Sequence, residues 1–148
     1  MPEEMPISLR KILTCIQKNY HNPVFDINVL HQSIKQSASY SRVIFKREYG
    51  CSLHDILEML RASDALEWLA DNAEIESFYN KVGFVTPKTL RETFHRRFGC
   101  SPSQCRALLA KSADKNHEIE HLRRMLCADN DRIYHIIQKS IEERMTCK

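Results

Sequence analysis

An internal repeat constrains the fold of this chain more than any other feature. Residues 45–52 read FKREYGCS and residues 94–101 read FHRRFGCS. Both segments hold phenylalanine, arginine, an aromatic residue, glycine, cysteine and serine in the same register. Each of them ends a stretch that has the pattern of a helix, a turn and a second helix. A repeated unit of this kind predicts two similar subdomains built on one frame.

The composition favours a globular protein made of helices. A chain of 148 residues is long enough for one or two small domains with a core of their own. It holds only three glycines, and its five prolines lie near positions where helices start. No apolar run is long enough to span a bilayer, and the first residues lack the pattern of a signal peptide. We therefore expect an all-α cytosolic protein with no membrane partner.

Apolar residues at helical spacing and capping residues predict where the helices begin and end. Asp26, Ser37 and Ser52 are placed to cap the starts of helices, and Gly50 and Gly99 to close their ends. The predicted helices are 27–34, 38–49, 53–70, 74–82 and 87–98, preceded by one at 7–19 and followed by a short one from residue 101. Two amphipathic helices are predicted after a linker-like stretch at 112–116.

Charge is distributed unevenly along the chain, although the net charge is only +3. Residues 51–78 carry seven acidic side chains against one arginine, whereas the two flanking repeat segments are basic. If the basic segments dock on phosphate, we expect the acidic side chains to lie on a face turned away from it. Ordinary solvated helix charge explains the same pattern equally well.

A helix, a tight turn and a second helix, used twice, are typical of helix-turn-helix units. The second helix of such a unit needs apolar anchors on its inner face and a free outer face that enters the major groove. In the first unit Ile44 and Phe45 can anchor the helix while Ser39 and Arg42 project. In the second unit the anchors are Leu90, Phe94 and Phe98.

With these residues the chain resembles the DNA-binding domain of AraC/XylS-type transcription regulators over residues 7–109. The resemblance rests on residues 37–52, on the Val-Gly-Phe at 82–84, and on the Phe-Gly-Cys-Ser-Pro run of 98–106 with its closing arginine. It implies two helix-turn-helix subdomains joined by a rigid linker helix. It also implies that two recognition helices enter successive major grooves, about 34 Å apart, and that the protein contacts RNA polymerase.

The resemblance also implies which residues contact double-stranded DNA. Lys46 and Arg47 are expected to hold phosphate, and Arg42 to read guanine with two hydrogen bonds. The base-facing candidates are Ser39, Arg42 and Val43 in the first unit and Pro87, Lys88, Arg91 and Glu92 in the second. Arg96 completes the predicted DNA-binding set.

Three positions depart from the family pattern. Lys35 stands in the first turn where the family commonly has glycine, and we expect that turn to be built differently. Tyr79 replaces a small residue before the second turn, where its ring would splay or repack the two helices. Glu92 stands where a basic residue is usual; it can accept from cytosine but repels phosphate. We therefore expect the second recognition helix to bind DNA weakly or differently.

The predicted organisation is a DNA-binding domain at 7–110 followed by a C-terminal helical extension at 111–148. The domain divides into a first subdomain at 7–51, a linker helix at 52–70 and a second subdomain at 71–110. We expect no separate effector-sensing domain. For residues 112–148 three roles stay open: docking on the DNA-binding body, self-association, or contact with another protein.

No constellation of residues indicates an enzyme, a cofactor or a metal. The seven histidines are dispersed and the six cysteines form no CxxC pair, so we interpret the cysteines as packing residues. The leading hypothesis is a sequence-specific DNA-binding transcription regulator associated with the nucleoid. The alternative is a protein–protein adaptor or anti-regulator that keeps the fold but binds DNA weakly, which Tyr79, Glu92 and the low net charge favour.

Overall fold

The computed structural model describes residues 6–146 and forms only helices within that range. The helices are α1 (Ile7–Asn19), α2 (Ile27–Ile34), α3 (Ala38–Tyr49), α4 (Leu53–Ala70), α5 (Ile75–Phe78), α6 (Pro87–Phe98), α7 (Pro102–Lys111), α8 (Lys115–Leu126) and α9 (Asp131–Thr146). None of these helices, over the described residues, is long and apolar enough to cross a membrane. The prediction of an all-α protein is confirmed.

The capping residues predicted from the sequence set the helix boundaries. The Asp26 carboxylate accepts from the backbone N–H of Val29 at 2.9 Å, which satisfies a donor at the start of α2. Ser52 and Ser101 each form a reciprocal capping box, the first with Asp55 and the second with Gln104. The two repeats therefore start their following helices by the same device.

Helix α4 is the centre of the molecule. It packs against α3, α5 and α6 and also against α7, α8 and α9, so both repeats and the C-terminal extension meet on it. Its Ile56, Leu60, Leu66 and Leu69 are almost completely buried. Burying several large apolar side chains at about 1.5–3 kcal/mol each makes this helix the main contributor to the core.

Arg61 of α4 ties the turn after α1 to the helix. Its guanidinium donates to the backbone carbonyl oxygens of Tyr20 at 2.6 Å, Asn22 at 3.1 Å and Phe25 at 2.8 Å. Burial lowers the pKa of Arg61 to about 10. Gly83 lies against the same group with a φ of +108°, where a Cβ atom would come within 2.3 Å of the Tyr20 oxygen. Only glycine fits this close approach.

The predicted helix at 74–82 is wrong in its length, because α5 covers only Ile75–Phe78. Beyond it the backbone N–H of Lys81 bonds to the carbonyl of Phe78, and that of Phe84 to the carbonyl of Tyr79. These turn bonds replace the helical ones and lead the chain into the left-handed Gly83. Tertiary packing therefore overrides the helical spacing of the apolar residues.

The connection between α7 and α8 is a short turn at 112–114. Asp114 caps α8 through the N–H of His117 at 3.1 Å, and α8 begins at Lys115. The predicted linker at 112–116 is too long by two residues, because this cap starts the next helix at once. Helix α8 packs against α4, α6 and α7, and α9 packs against α4.

Asn130, before α9, and Arg132, in the first turn of α9, contact the end of α3. The Asn130 amide donates to the carbonyl oxygen of Tyr49 at 3.2 Å. Arg132 donates to the carbonyl oxygen of Glu48 at 2.9 Å and forms an ion pair with the Glu48 carboxylate. Of the three roles left open for the extension, docking on the body is the arrangement that the structure contains.

Candidate DNA interface

Helix α3 presents five of the predicted DNA-contacting side chains on one exposed surface. Its Ser41, Phe45 and Tyr49 are buried, and Phe45 and Tyr49 have ring centroids 4.8 Å apart. This anchored inner face fixes the outer face of the helix toward solvent. The exposed outer residues are Ser39, Arg42, Val43, Lys46 and Arg47.

The cationic side chains of α3 are unpaired among the described residues. The side chains of Arg42, Lys46 and Arg47 form no ion pair or hydrogen bond with any residue that the structure describes. Val43, between them, is 55% exposed. An exposed apolar side chain among free cations can contact a thymine methyl while the cations contact base edges and phosphate.

A groove of about 500 Å³ continues this surface toward α4. Its walls include Arg42, Lys46 and Arg47 from α3, and Leu53 and His54 from the start of α4. His54 is one of the seven dispersed histidines, and its position beside α3 was not predicted from the sequence. The Ser52 capping box is the signal that could have found it, because it places the first turn of α4 directly beside the end of α3.

Helix α6 has the same construction as α3. Leu90, Thr93, Phe94 and Phe98 are buried, and Gly99 closes the helix with a φ of +73°, as Gly50 closes α3 with a φ of +77°. Pro87 is half-buried at the first helical position. The remaining predicted DNA-contacting residues, Lys88, Arg91, Glu92 and Arg96, are exposed.

The comparison with protein families agrees with this double arrangement. The family described as "Helix-turn-helix domain" matches residues 31–108, which run from the end of α2 through most of α7. The chain belongs to the AraC/XylS-type helix-turn-helix family. Members of this family are DNA-binding proteins. The match includes both recognition helices, α3 and α6, and the linker helix α4 between them.

Two known proteins are similar to the chain. The raffinose operon transcriptional regulatory protein RafR of Pediococcus pentosaceus is 32% identical over 92 residues, which is 62% of this chain and 33% of that protein. The chain thus spans about a third of the length of the curated relative it matches. The C-terminal domain of AraT, a response regulator from Geobacillus stearothermophilus, superposes with a TM-score of 0.67 at 23% identity. That alignment covers 72% of this chain and 88% of the AraT domain and shows the shared fold.

The turn between α2 and α3 is built with Lys35 at the end of α2, where the family commonly has glycine. Lys35 adopts the left-handed conformation itself, with φ 55° and ψ 47°, and its N–H bonds to the carbonyl of His31. This conformation costs a residue with a Cβ atom about 1–2 kcal/mol. Tyr79 is half-buried and packs against the core.

Arg96 and Arg97 of α6, unlike the cations of α3, are paired with carboxylates of α4. Arg96 lies 2.6 Å from Glu58, and Arg97 lies 2.8 Å from Glu58 and 2.9 Å from Asp55. Two of the acidic side chains of 51–78 therefore lie against the second recognition helix, while their expected orientation away from phosphate stays a prediction. They project from α4 toward the second recognition helix, because α4 packs directly against α6.

The pairing shifts the pKa of both partners. Burial alone would raise the pKa of Asp55, but hydrogen bonds from the Ser52 backbone and the Arg97 guanidinium lower it. Burial alone would lower the pKa of Arg97, but Asp55 and Glu58 raise it. The pairs stabilise the charged forms, so these groups hold α6 on α4 and leave less positive charge for DNA.

A further pair involves Arg91. Its guanidinium lies 3.6 Å from the carboxylate of Glu76, and both side chains are about half exposed or more. An exposed pair of this kind is weak and screened by salt, so Arg91 can exchange Glu76 for another anion. Lys88 and Glu92 form no ion pair with a described residue.

His31 lies on α2 and is half-buried. Burial lowers its pKa, and the positive charge of Arg42 lowers it further. Its Nε2 atom is buried without a hydrogen-bond partner among the described residues. Over all the residues that the structure describes, no group of three or more histidine, cysteine or acidic side chains could hold a metal ion.

Proposed function

We propose that this chain is a sequence-specific DNA-binding protein that regulates transcription and reads DNA mainly through α3. The observation that carries the proposal is the difference in charge between two similar recognition helices. Arg42, Lys46 and Arg47 of α3 are exposed and unpaired among the described residues, whereas Arg96 and Arg97 of α6 are held by α4. Free cations on an exposed helix are what phosphate and base edges require.

The proposed roles within α3 follow from side-chain chemistry. Arg42 near the middle of the helix reads a guanine through two hydrogen bonds, and Val43 contacts a thymine methyl. Ser39 lies one turn earlier and contacts a base edge or the adjacent phosphate. Lys46 and Arg47, toward the end of the helix, hold phosphate and supply affinity without sequence information.

The second recognition helix has the smaller share in this proposal. Pro87, Lys88, Arg91 and Glu92 face the second major groove, and Arg96 contacts phosphate only when it leaves Glu58. Glu92 repels phosphate but can accept a hydrogen bond from the amino group of cytosine. The second half-site is therefore expected to tolerate more sequence variation than the first.

The experiment compares Arg42→Ala with Lys46→Ala on a selected site and on random duplex, across a series of salt concentrations. We expect Arg42→Ala to lose about 1–3 kcal/mol of binding free energy on the selected site and much less on random DNA. Lys46→Ala should weaken binding to both duplexes alike. It should also reduce by about 1 the slope of log affinity against log salt concentration. Lys139→Ala, a change at an exposed lysine of α9, is the matched control. Equal losses on both duplexes for both variants would refute the division of roles.

The wider assignment extends the proposal beyond the interface. As a member of a family of DNA-binding regulators, the protein is proposed to contact RNA polymerase and to act on the nucleoid in the bacterial cytoplasm. We also propose residues 7–110 as the DNA-binding unit, with the linker helix at 52–70 and the extension at 111–148 as its support.

The paired α6 cations favour a second candidate, a protein–protein adaptor or anti-regulator with little DNA affinity. The same salt series separates the two functions. A folded wild-type protein that binds no duplex even at low salt would support the adaptor. Deleting the extension is a poor test, because Ile119, Leu122 and Leu126 are buried and their removal would expose the core.

A further inference from the structure

Two cysteines lie against each other at the junction of α6 and α7. The Sγ atoms of Cys100 and Cys105 are 2.9 Å apart, and both residues are free thiols. Cys100 is half-buried in the turn after Gly99, and Cys105 is fully buried on α7. A disulfide bond is about 2.05 Å long, so bonding would bring the two sulfurs less than about 1 Å closer.

The repeat offers an internal comparison. Cys51 occupies in the first unit the place that Cys100 occupies in the second, but the position equivalent to Cys105 is Ile56. In the first unit the isoleucine at this place is fully buried. Packing alone therefore does not require a cysteine there. The second unit instead places a thiol there, next to the thiol of the turn.

We propose that Cys100 and Cys105 form a reversible disulfide by exchange with a small-molecule disulfide. The Cys100 thiolate attacks one sulfur of that molecule, which forms a mixed disulfide and releases one small thiol. Cys105 then attacks the Cys100 sulfur, loses its proton to solvent and displaces the second small thiol. Two protein thiols are oxidised and one small disulfide is reduced to two thiols, so atoms and electrons balance.

The surroundings set the order of these steps. Burial raises the pKa of the Cys105 thiol, and the contact with Cys100 raises it further. An external reagent therefore meets Cys100 first, because it is the more accessible sulfur. Cys105 completes the reaction because its sulfur is already in contact with the attacked one, and proximity offsets its low acidity.

The bond would join the turn between α6 and α7 to the first turn of α7. It closes the loop 100–105, which begins one residue after Gly99 ends α6 and includes the capping Ser101. Its formation reduces the freedom of the turn from which α7 starts. In a bacterial cytoplasm a disulfide of this type is transient and serves redox sensing more than permanent stability.

The test uses the full reduced protein incubated with oxidised glutathione, followed by alkylation of the remaining thiols and tryptic digestion. Trypsin cuts after Arg97 and Arg106, so both cysteines lie in the single peptide 98–106. We expect this peptide to resist alkylation and to weigh less by the mass of two hydrogen atoms, and dithiothreitol to reverse the change. In hydrogen exchange, the amides of residues 99–104 should exchange more slowly in the oxidised form.

Three variants make the outcome decisive. Cys105→Ala should stop the reaction at a mixed disulfide on Cys100, and Cys100→Ser should leave Cys105 unmodified. Cys51→Ser, at the equivalent place of the first repeat, should oxidise like the wild type. Glutathione retained on Cys100 of the wild type, a bond from Cys105 to any other cysteine, or an unmodified peptide 98–106 would each overturn the proposal. None of these measurements depends on DNA binding.

Discussion

Replacement of Arg123 by methionine should destabilise the whole fold, because this arginine connects the C-terminal extension to α4 from a buried position. Its side chain is 5% exposed. The guanidinium donates to the hydroxyl of Ser63 at 2.8 Å, to Glu67 at 2.8 Å and to Glu120 at 2.8 Å. Tyr134 also donates to Glu120, so the group links α4, α8 and α9.

The size of the effect follows from the exposure of the partners. Ser63 is buried, and losing its charged partner leaves a hydroxyl unsatisfied at a cost of about 1–3 kcal/mol. Glu67 and Glu120 are 39% and 43% exposed, so water replaces much of what they lose, about 0.2–1 kcal/mol each. The sum is about 1.5–5 kcal/mol, and its lower end lies below the roughly 3–5 kcal/mol expected for a fully buried pair.

Thermal unfolding followed by circular dichroism measures this effect. At about 2–4 °C per kcal/mol for a chain of this size, the melting temperature should fall by roughly 3–20 °C. Lys139→Met makes the same kind of change at an exposed lysine of α9 and should leave the melting temperature nearly unchanged. If the two variants melt within error of each other, the buried network does not hold the extension on α4, and the reasoning is refuted.

Three further predictions concern single positions. Glu58→Gln frees Arg96 for phosphate, so DNA binding should tighten at low salt and the plot of log affinity against log salt should steepen by about 0.9; unchanged affinity and slope would show that Arg96 does not reach DNA. Gly83→Ala should cost about 2–5 kcal/mol in urea unfolding, because its Cβ atom meets a backbone carbonyl oxygen at 2.3 Å, whereas Gly50→Ala has open space and should cost only about 1–2 kcal/mol of backbone strain. His31 has a lowered pKa in the folded protein, so the unfolded chain binds its proton at higher pH; its contribution to stability is full above about pH 6.5 and is lost as the pH falls through the folded pKa. The melting temperature of His31→Gln should therefore fall less than that of the wild type between about pH 7 and 5, and parallel curves would contradict this assignment.

The elements that the sequence predicts well are those fixed by neighbouring residues. The capping boxes at Ser52 and Ser101 join residues only three apart, and the glycines that close α3 and α6 act within one turn. Helical spacing also predicts which face of α3 is exposed, because Phe45 and Tyr49 must share the inner face. Local rules of this kind need no knowledge of the tertiary structure.

The interactions that were not predicted from the sequence join residues far apart in the chain. Arg123 bonds to Ser63, which is sixty residues away, and Arg96 pairs with Glu58 across thirty-eight. No local pattern shows which of seven acidic residues in 51–78 faces α6. The helix predicted at 74–82 fails for a related reason, since its end is decided by the packing of Gly83 against Arg61 of a different helix.

The asymmetry of the two recognition helices can be traced to one capping position of the repeat. The third residue of the helix that follows each unit is Asp55 in the first repeat and Gln104 in the second, and the side chain of each accepts a hydrogen bond from the backbone N–H of its capping serine. Asp55 also binds Arg97, because α4 is followed by a second unit that packs on it. Gln104 is neutral and has no equivalent ion pair among the described residues. A capping residue of the first repeat, Asp55, therefore anchors the recognition helix of the second repeat. No carboxylate among the described residues pairs with Arg42, Lys46 or Arg47, so α3 keeps its cations available for DNA.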